Sequence, residues 1–157
     1  MAGSEDGRAA TAIEYAIALL AARSWPQSKL RQKIAARYDA GQTDEAIARM
    51  RELRMVDDAA WADRFARDRL ERGGKGRHRI RAELLARGID AGTADAALAR
   101  VIGEEAEREK AAAVLESMRA RLGRVEDAPE RLKNRLYRRM LARGYPAAVV
   151  RDLLDVS

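Results

Sequence analysis

Apolar residues return every three to four positions along almost the whole chain, and glycine or proline interrupts them at short intervals. Ile13, Ala16, Ile17 and Leu20 form the first stripe and predict a helix that stops near Arg23. Ser24-Trp25-Pro26-Gln27 then has the spacing of a capping box, with Ser24 accepting from the Gln27 N–H. Pro26 sits in the first turn, where no backbone donor is needed. Leu30, Ile34 and Tyr38 mark a second helix. Gly41-Gln42 is expected to break it, and Thr43 to cap a third helix carrying Ile47, Met50 and Leu53.

The pattern then recurs. Asp57 is placed to cap a helix with Trp61, Phe65 and Leu70, which Gly73-Gly74-Lys75-Gly76 ends. A short helix with Ile80 and Leu84 closes at Gly88, a suitable left-handed residue after a C-terminus. Asp90 or Thr93 starts the next helix, with Ala94, Ala97, Leu98 and Val101, and Gly103 allows a bend. A longer helix carries Ala111, Val114, Leu115, Met118 and Leu122. Asp127 and Pro129 restart the chain, Leu132, Leu136 and Met140 form a stripe, and Gly144 ends it. Pro146 opens a last helix with Val149, Val150, Leu153 and Leu154. No stretch alternates with period two, so an all-α fold without strands is expected.

Three segments repeat one another: Leu30–Arg37, Ile80–Arg87 and Leu136–Arg143, at offsets of 50 and 56 residues. Each is the middle helix of a helix–helix–helix unit. Two continue alike, as Gly88-Ile89 and Gly144-Tyr145. The expected organisation is a frayed tail over 1–9, then three-helix units over 10–55, 56–103 and 104–157. Units of this period stack into an elongated array.

Composition narrows the chemistry. The 157 residues contain no cysteine, which excludes disulfides and thiolate metal sites. The longest apolar run, Tyr15 to Ala22, falls far short of the ~20 residues of a membrane span. Glu5 and Asp6 near the start do not read as a secretory signal, so a cytoplasmic location is expected. His78, the one histidine, lies in a basic stretch with no acid or nucleophile partner, and is expected to face solvent. No cluster has metal-ligand spacing, and Gly73-Gly74-Lys75-Gly76 lacks the glycine spacing and Ser/Thr of a P-loop. Asp57-Asp58 reads as a helix start instead of a catalytic pair. Neither an enzyme nor a cofactor is expected.

The net charge of +6 favours polyanions, and its distribution sharpens that inference. Between positions 67 and 87 lie Arg67, Arg69, Arg72, Lys75, Arg77, Arg79, Arg81 and Arg87, against Asp68, Glu71 and Glu83. Arg131, Lys133, Arg135, Arg138, Arg139 and Arg143 follow with no acid among them. Pairs such as Arg131/Arg135 and Arg135/Arg139, one turn apart, repel by a few tenths of a kcal/mol each, roughly. An anion or an acidic protein surface would compensate that cost; a solvated face is the plain alternative. The glycine turn before Arg77 also sets Lys75 and backbone N–H groups at a helix start, a suitable phosphate contact. That helix offers mainly Arg and His, so backbone contact is favoured over base reading.

The chain resembles the RecX regulators of the RecA recombinase. The resemblance rests on Tyr15–Ser24 followed by Leu30–Ile34, and on Asp57-Asp58 with Trp61-Ala62 and Phe65-Ala66. Gly76–Leu84 followed by Arg87-Gly88-Ile89 continues it, and the final Leu141–Tyr145 also fits. Order and spacing carry the match, which covers nearly the whole chain after the first ten residues. Arg54-Met55 stands where the family usually has Gly-Tyr, Trp61 where Phe or Tyr is commoner, and Gly103–Glu130 matches least.

The resemblance implies an elongated, curved array of three tandem three-helix repeats. It implies binding to RecA and to the RecA–single-stranded DNA filament, with suppression of filament growth, ATP hydrolysis and strand exchange. The residues expected to contact RecA, or the phosphates of single- or double-stranded DNA, are Arg72, Lys75, Arg77, Arg79, Arg81, Arg87, Arg131, Lys133, Arg135, Arg138, Arg139 and Arg143. A monomer is expected. Two other readings stay open: a stand-alone DNA-binding regulator of helix-turn-helix type, and a helical adaptor for an acidic protein partner.

Overall fold

Thr11 opens the first helix, because its hydroxyl accepts from the Glu14 N–H while the Glu14 carboxylate accepts from the Thr11 N–H. The resulting α1 (Ala12–Ala22) ends at Arg23, where the stripe predicts. In this computed structural model, residues 10–122 and 128–155 are described. The tail over 1–9 and Asp127 lie outside the described residues. Among the described residues eight further helices follow: α2 (Gln27–Ala35), α3 (Ala40–Glu52), α4 (Asp58–Glu71), α5 (Arg77–Ala86), α6 (Ala91–Val101), α7 (Glu104–Leu122), α8 (Pro129–Ala142) and α9 (Ala147–Asp155). No strand occurs among the described residues. The chain forms two compact units, one ending at Trp61 and the other beginning at Ala62.

In the first unit, Ala12, Ala16, Leu30, Ile34, Ala46, Ile47 and Met50 make the core of α1, α2 and α3. Two starts differ from expectation. Ser24 does not cap α2. The Gln27 N–H donates instead to the Asp58 carboxylate at 2.8 Å, from the first turn of α4. A carboxylate is the stronger acceptor for this orphan donor. Thr43 does not cap α3 either, and Gly41-Gln42 breaks nothing. Asp39 and Gln42 form a complete capping box, so α3 begins four residues earlier and buries Thr43. Tyr38 lies beyond the end of α2, where its hydroxyl donates to the Ala10 carbonyl. Ile17, expected in the stripe, is exposed.

In the second unit, α4 turns Ala62, Ala66 and Leu70 inward, while Phe65 stays half-buried. The inner stripe is thus one residue, about 100° of helix rotation, from the aromatic one. Ile80, Leu84, Ile89, Ala94, Ala97 and Ile102 are buried along α5 and α6. A further core joins α7, α8 and α9 through Ala111, Leu115, Leu136, Met140, Tyr145, Val150 and Leu154.

The ends of α3, α5 and α8 share one geometry, which accounts for the repeated sequence after the middle helices. Gly88 and Gly144 have φ of 82° and 93°. The next residue donates back to the carbonyl five residues earlier, Ile89 to Leu84 and Tyr145 to Met140. This is a Schellman closure, and its following apolar residue packs on the helix it ends. Ile89 and Tyr145 are accordingly buried. At the end of α3 the same bonds form with Arg54 in the left-handed position, φ 54°, and Met55 exposed. Arg54 is the departure from the family pattern, and a side chain there costs about 1 kcal/mol that glycine does not.

Burial of Tyr145 has a measurable consequence. Its hydroxyl is enclosed and has no hydrogen-bond partner among the described residues. Burial pushes its pKa up to about 12, with Glu107 adding to the rise and Arg143 opposing it. An unfolded tyrosine titrates near 10, so the fold holds the proton more tightly than the unfolded chain does. That contribution is complete below about pH 10 and lost as pH rises from about 10 to 12. Tyr145→Phe should remove this alkaline loss and change neutral stability by less than about 1 kcal/mol, since no bond is broken. Urea unfolding at pH 7 and across the alkaline range checks both. A large neutral loss would mean that the hydroxyl is bonded.

Candidate functional site

The N-terminus of α5 is held from two sides within the second unit. Gly76 N–H donates to the Arg143 carbonyl at 2.9 Å and His78 N–H to the Gly144 carbonyl at 3.1 Å. Arg77 N–H donates to the Glu107 carboxylate of α7 at 2.8 Å, and the Arg77 guanidinium reaches the same carboxylate at 2.6 Å. Glu107 is 1% exposed. The start of α5 therefore meets the end of α8 head to tail, with opposed ends of two helix dipoles together. These donors are occupied, so the expected phosphate contact at this helix start does not form on them. The side chain of His78 is exposed, as predicted.

The first basic run is largely neutralised. Arg72 has Asp68 at 3.4 Å, Arg79 has Glu83 at 3.1 Å, and Arg69 lies 3.0 Å from the other Glu83 oxygen. Arg81 holds Asp95 of α6 with two bonds, 2.6 and 3.2 Å. Those hydrogen bonds raise the pKa of Arg81 and lower that of Asp95. Arg87 donates to the Glu83 carbonyl and stacks 4.6 Å from the centre of the Phe65 ring. Lys75 is half-buried in the turn. Two of the carboxylates, Asp95 and Glu107, come from outside the run. The first unit contains the counterpart of each arrangement: Arg31 pairs with Asp44, and Asp58 caps α2 from 31 residues away as Glu107 caps α5 from 30.

The second run divides by helix rotation. Leu136 and Met140 point inward. At about 100° per residue, Arg131 and Arg138 then fall opposite them, with Arg135 and Arg139 round to one flank of that line. Arg131, Arg138 and Arg139 are exposed and have no ion-pair partner among the described residues; Arg135 is half-buried. Lys133 lies on the other side and donates to Asp155 at 2.7 Å, which raises its pKa. Arg143 turns inward, its guanidinium 3.5 Å from the carbonyls of Gly73 and Gly74.

Of the twelve expected contact residues, the structure therefore gathers Arg131, Arg135, Arg138 and Arg139 on one face. It ties Arg77, Arg79, Arg81, Lys133 and Arg143 to internal partners. The role of Glu107 was not read from the sequence; an acid some 30 residues after a middle-helix start, as in Gln27 and Asp58, is the signal that carries it. Among the described residues, no three His, Asp or Glu side chains gather closely enough to hold a metal ion, and no helix is long and apolar enough to cross a membrane.

Comparison with known proteins gives a consistent result. Residues 57–98 match the family model of the second three-helix domain of RecX. The chain is 35% identical over 138 residues to the regulatory protein RecX of Thermus thermophilus, covering 88% of this chain and 86% of that protein. It is 31% identical over 158 residues to the regulatory protein RecX of a Mycobacterium species, covering 98% and 85%. The crystal structure of RecX from Lactobacillus salivarius has the same fold, with a TM-score of 0.84 at 19% identity, over 93% of this chain and 96% of that one.

Proposed function

Because this chain belongs to the RecX family, we propose that it is a negative regulator of RecA that acts by binding, not by catalysis. It binds RecA and the RecA–single-stranded DNA filament, and restrains filament extension, ATP hydrolysis and strand exchange. The observation that carries the reading is the outer face of α8, where Arg131, Arg138 and Arg139 are exposed without an ion-pair partner among the described residues. Such a face is unfavourable alone and becomes favourable against a polyanion. It meets the filament through DNA phosphate or through acidic surface of RecA. The protein acts as a monomer.

The test is RecA's single-stranded-DNA-dependent ATP hydrolysis with increasing amounts of this protein. Inhibition is expected below one molecule per RecA and persists when DNA is in excess. Arg131→Glu, Arg138→Glu and Arg139→Glu together should raise the half-inhibiting concentration about tenfold or more, since each reversal replaces an attraction by a repulsion. If the face contacts DNA, the log–log salt slope of strand binding falls by about 2, at roughly 0.7 per phosphate. Wild-type inhibition by the folded triple variant would remove this face from the mechanism. Inhibition abolished by added DNA would instead favour a stand-alone DNA-binding protein.

A further inference from the structure

Four cations from three separate stretches line one hollow of about 210 Å³ in the second unit. Arg72 comes from the end of α4, Lys110 and Arg121 from α7, and Arg143 from the end of α8, with the Ser117 hydroxyl among them. Among the described residues, no carboxylate lines it. Three other hollows mix the two signs, as Lys133 and Arg119 do with Glu130 and Asp155 beside α8. Lys110 and Arg121 have no ion-pair partner among the described residues, while Arg72 shares Asp68 at 3.4 Å. The Gly73 and Gly74 carbonyls, each 3.5 Å from the Arg143 guanidinium, hold that group at the wall.

Gly74 keeps the space open. Its φ of 56° disfavours any side chain, and a Cβ there would stand 3.1 Å from Val114 Cγ2 and 3.4 Å from Arg143 Nη1. Convergent cations around one small volume repel, and the arrangement is relieved by an anion that several donors can share. A tetrahedral phosphate suits it better than a flat carboxylate. It offers more acceptor oxygens, and it takes both a guanidinium fork and an ammonium point charge.

We propose that this hollow, walled by Arg72, Lys110, Arg121 and Arg143, is a phosphate-binding site. It lies apart from the outer line of α8 and does not depend on RecA regulation. The phosphate is that of a nucleic-acid strand or of a free phosphate compound, two sources with one chemistry.

The probe is inorganic phosphate titrated into the full chain at constant ionic strength, with chloride exchanged for it, and the thermal midpoint is read. A ligand that binds only the folded form raises that midpoint saturably. Lys110→Gln with Arg121→Gln should weaken phosphate binding about tenfold or more, since charge-assisted bonds are lost. Arg151→Gln, an exposed cation on α9, should not alter it. Should the double variant fail to fold, Ser117→Ala should still weaken binding about threefold. A midpoint that does not saturate, or saturation unchanged in a folded double variant, overturns the proposal. A single-stranded oligonucleotide identifies the source. If it displaces phosphate, and the double variant binds it more weakly, the site takes strand phosphate. If phosphate stays bound and oligonucleotide affinity is unchanged, the site takes free phosphate.

Discussion

Gly144→Ala is expected to destabilise the second unit by about 3 kcal/mol or more, lowering its thermal midpoint by roughly 12 to 24 °C. Two effects add. Gly144 has φ of 93°, where an L side chain costs about 1–2 kcal/mol. A Cβ would also stand 2.3 Å from the Arg79 backbone nitrogen and 2.4 Å from its Cβ. Backbone cannot move aside as a flexible side chain can. Retreat of α5 would stretch the bonds from Gly76 to Arg143 and from His78 to Gly144. Gly76 is equally close, its Cβ position lying 2.5 Å from the Gly144 carbonyl group. Gly41→Ala is the contrast. It lies in the first turn of α3 with ordinary spacing, so alanine should raise stability by about 0.5–1 kcal/mol. Circular dichroism with heating separates the two. A Gly144→Ala midpoint within about 2 °C of the parent would mean that α5 and α8 do not meet through these glycines.

Glu107→Ala is expected to cost about 3 kcal/mol, read from the urea midpoint at unchanged slope. Removing the buried carboxylate leaves the Arg77 N–H without its acceptor and the Arg77 guanidinium without its counter-charge. Because Arg77 is about one-third exposed, water recovers part of the loss, and the low end of the range applies. Glu107→Gln keeps one acceptor and should lose about half as much. Asp58→Ala breaks the counterpart in the first unit, but Asp58 is half-exposed and should cost only about 1 kcal/mol. A Glu107→Ala loss no larger than that of Asp58→Ala would show that α5 is held by the glycine contacts alone.

The errors in the starts of α2 and α3 have different physical origins. At α2, Ser24 and Gln27 have the right spacing for a local cap, but Asp58 is a better acceptor and arrives from 31 residues away. At α3, the chain continues through a glycine that local propensity alone would make a break. Gly41 costs about 1 kcal/mol in a helix, yet the Asp39–Gln42 box stabilises the same turn and offsets it. At α4, alanine and aromatic stripes were both compatible with helical periodicity. The structure turns Ala62 and Ala66 inward and leaves Phe65 half-buried, with Arg69 and Arg87 against its ring.

What the sequence determined by itself was the local part. Periodicity marked every helix, and Gly88 and Gly144 marked two ends, with Ile89 and Tyr145 following. These features depend on residues within one or two turns of one another. The tertiary structure alone decided which cations remain available. The first basic run carries acids of its own and the second none, but only the fold brings Asp95 and Glu107 from later helices to Arg81 and Arg77, whereas Arg131, Arg138 and Arg139 have no such partner among the described residues. It also brought Lys110 and Arg121 beside Arg72 and Arg143. Charge is additive along a chain, but its field depends on distance in space, and folding sets that distance.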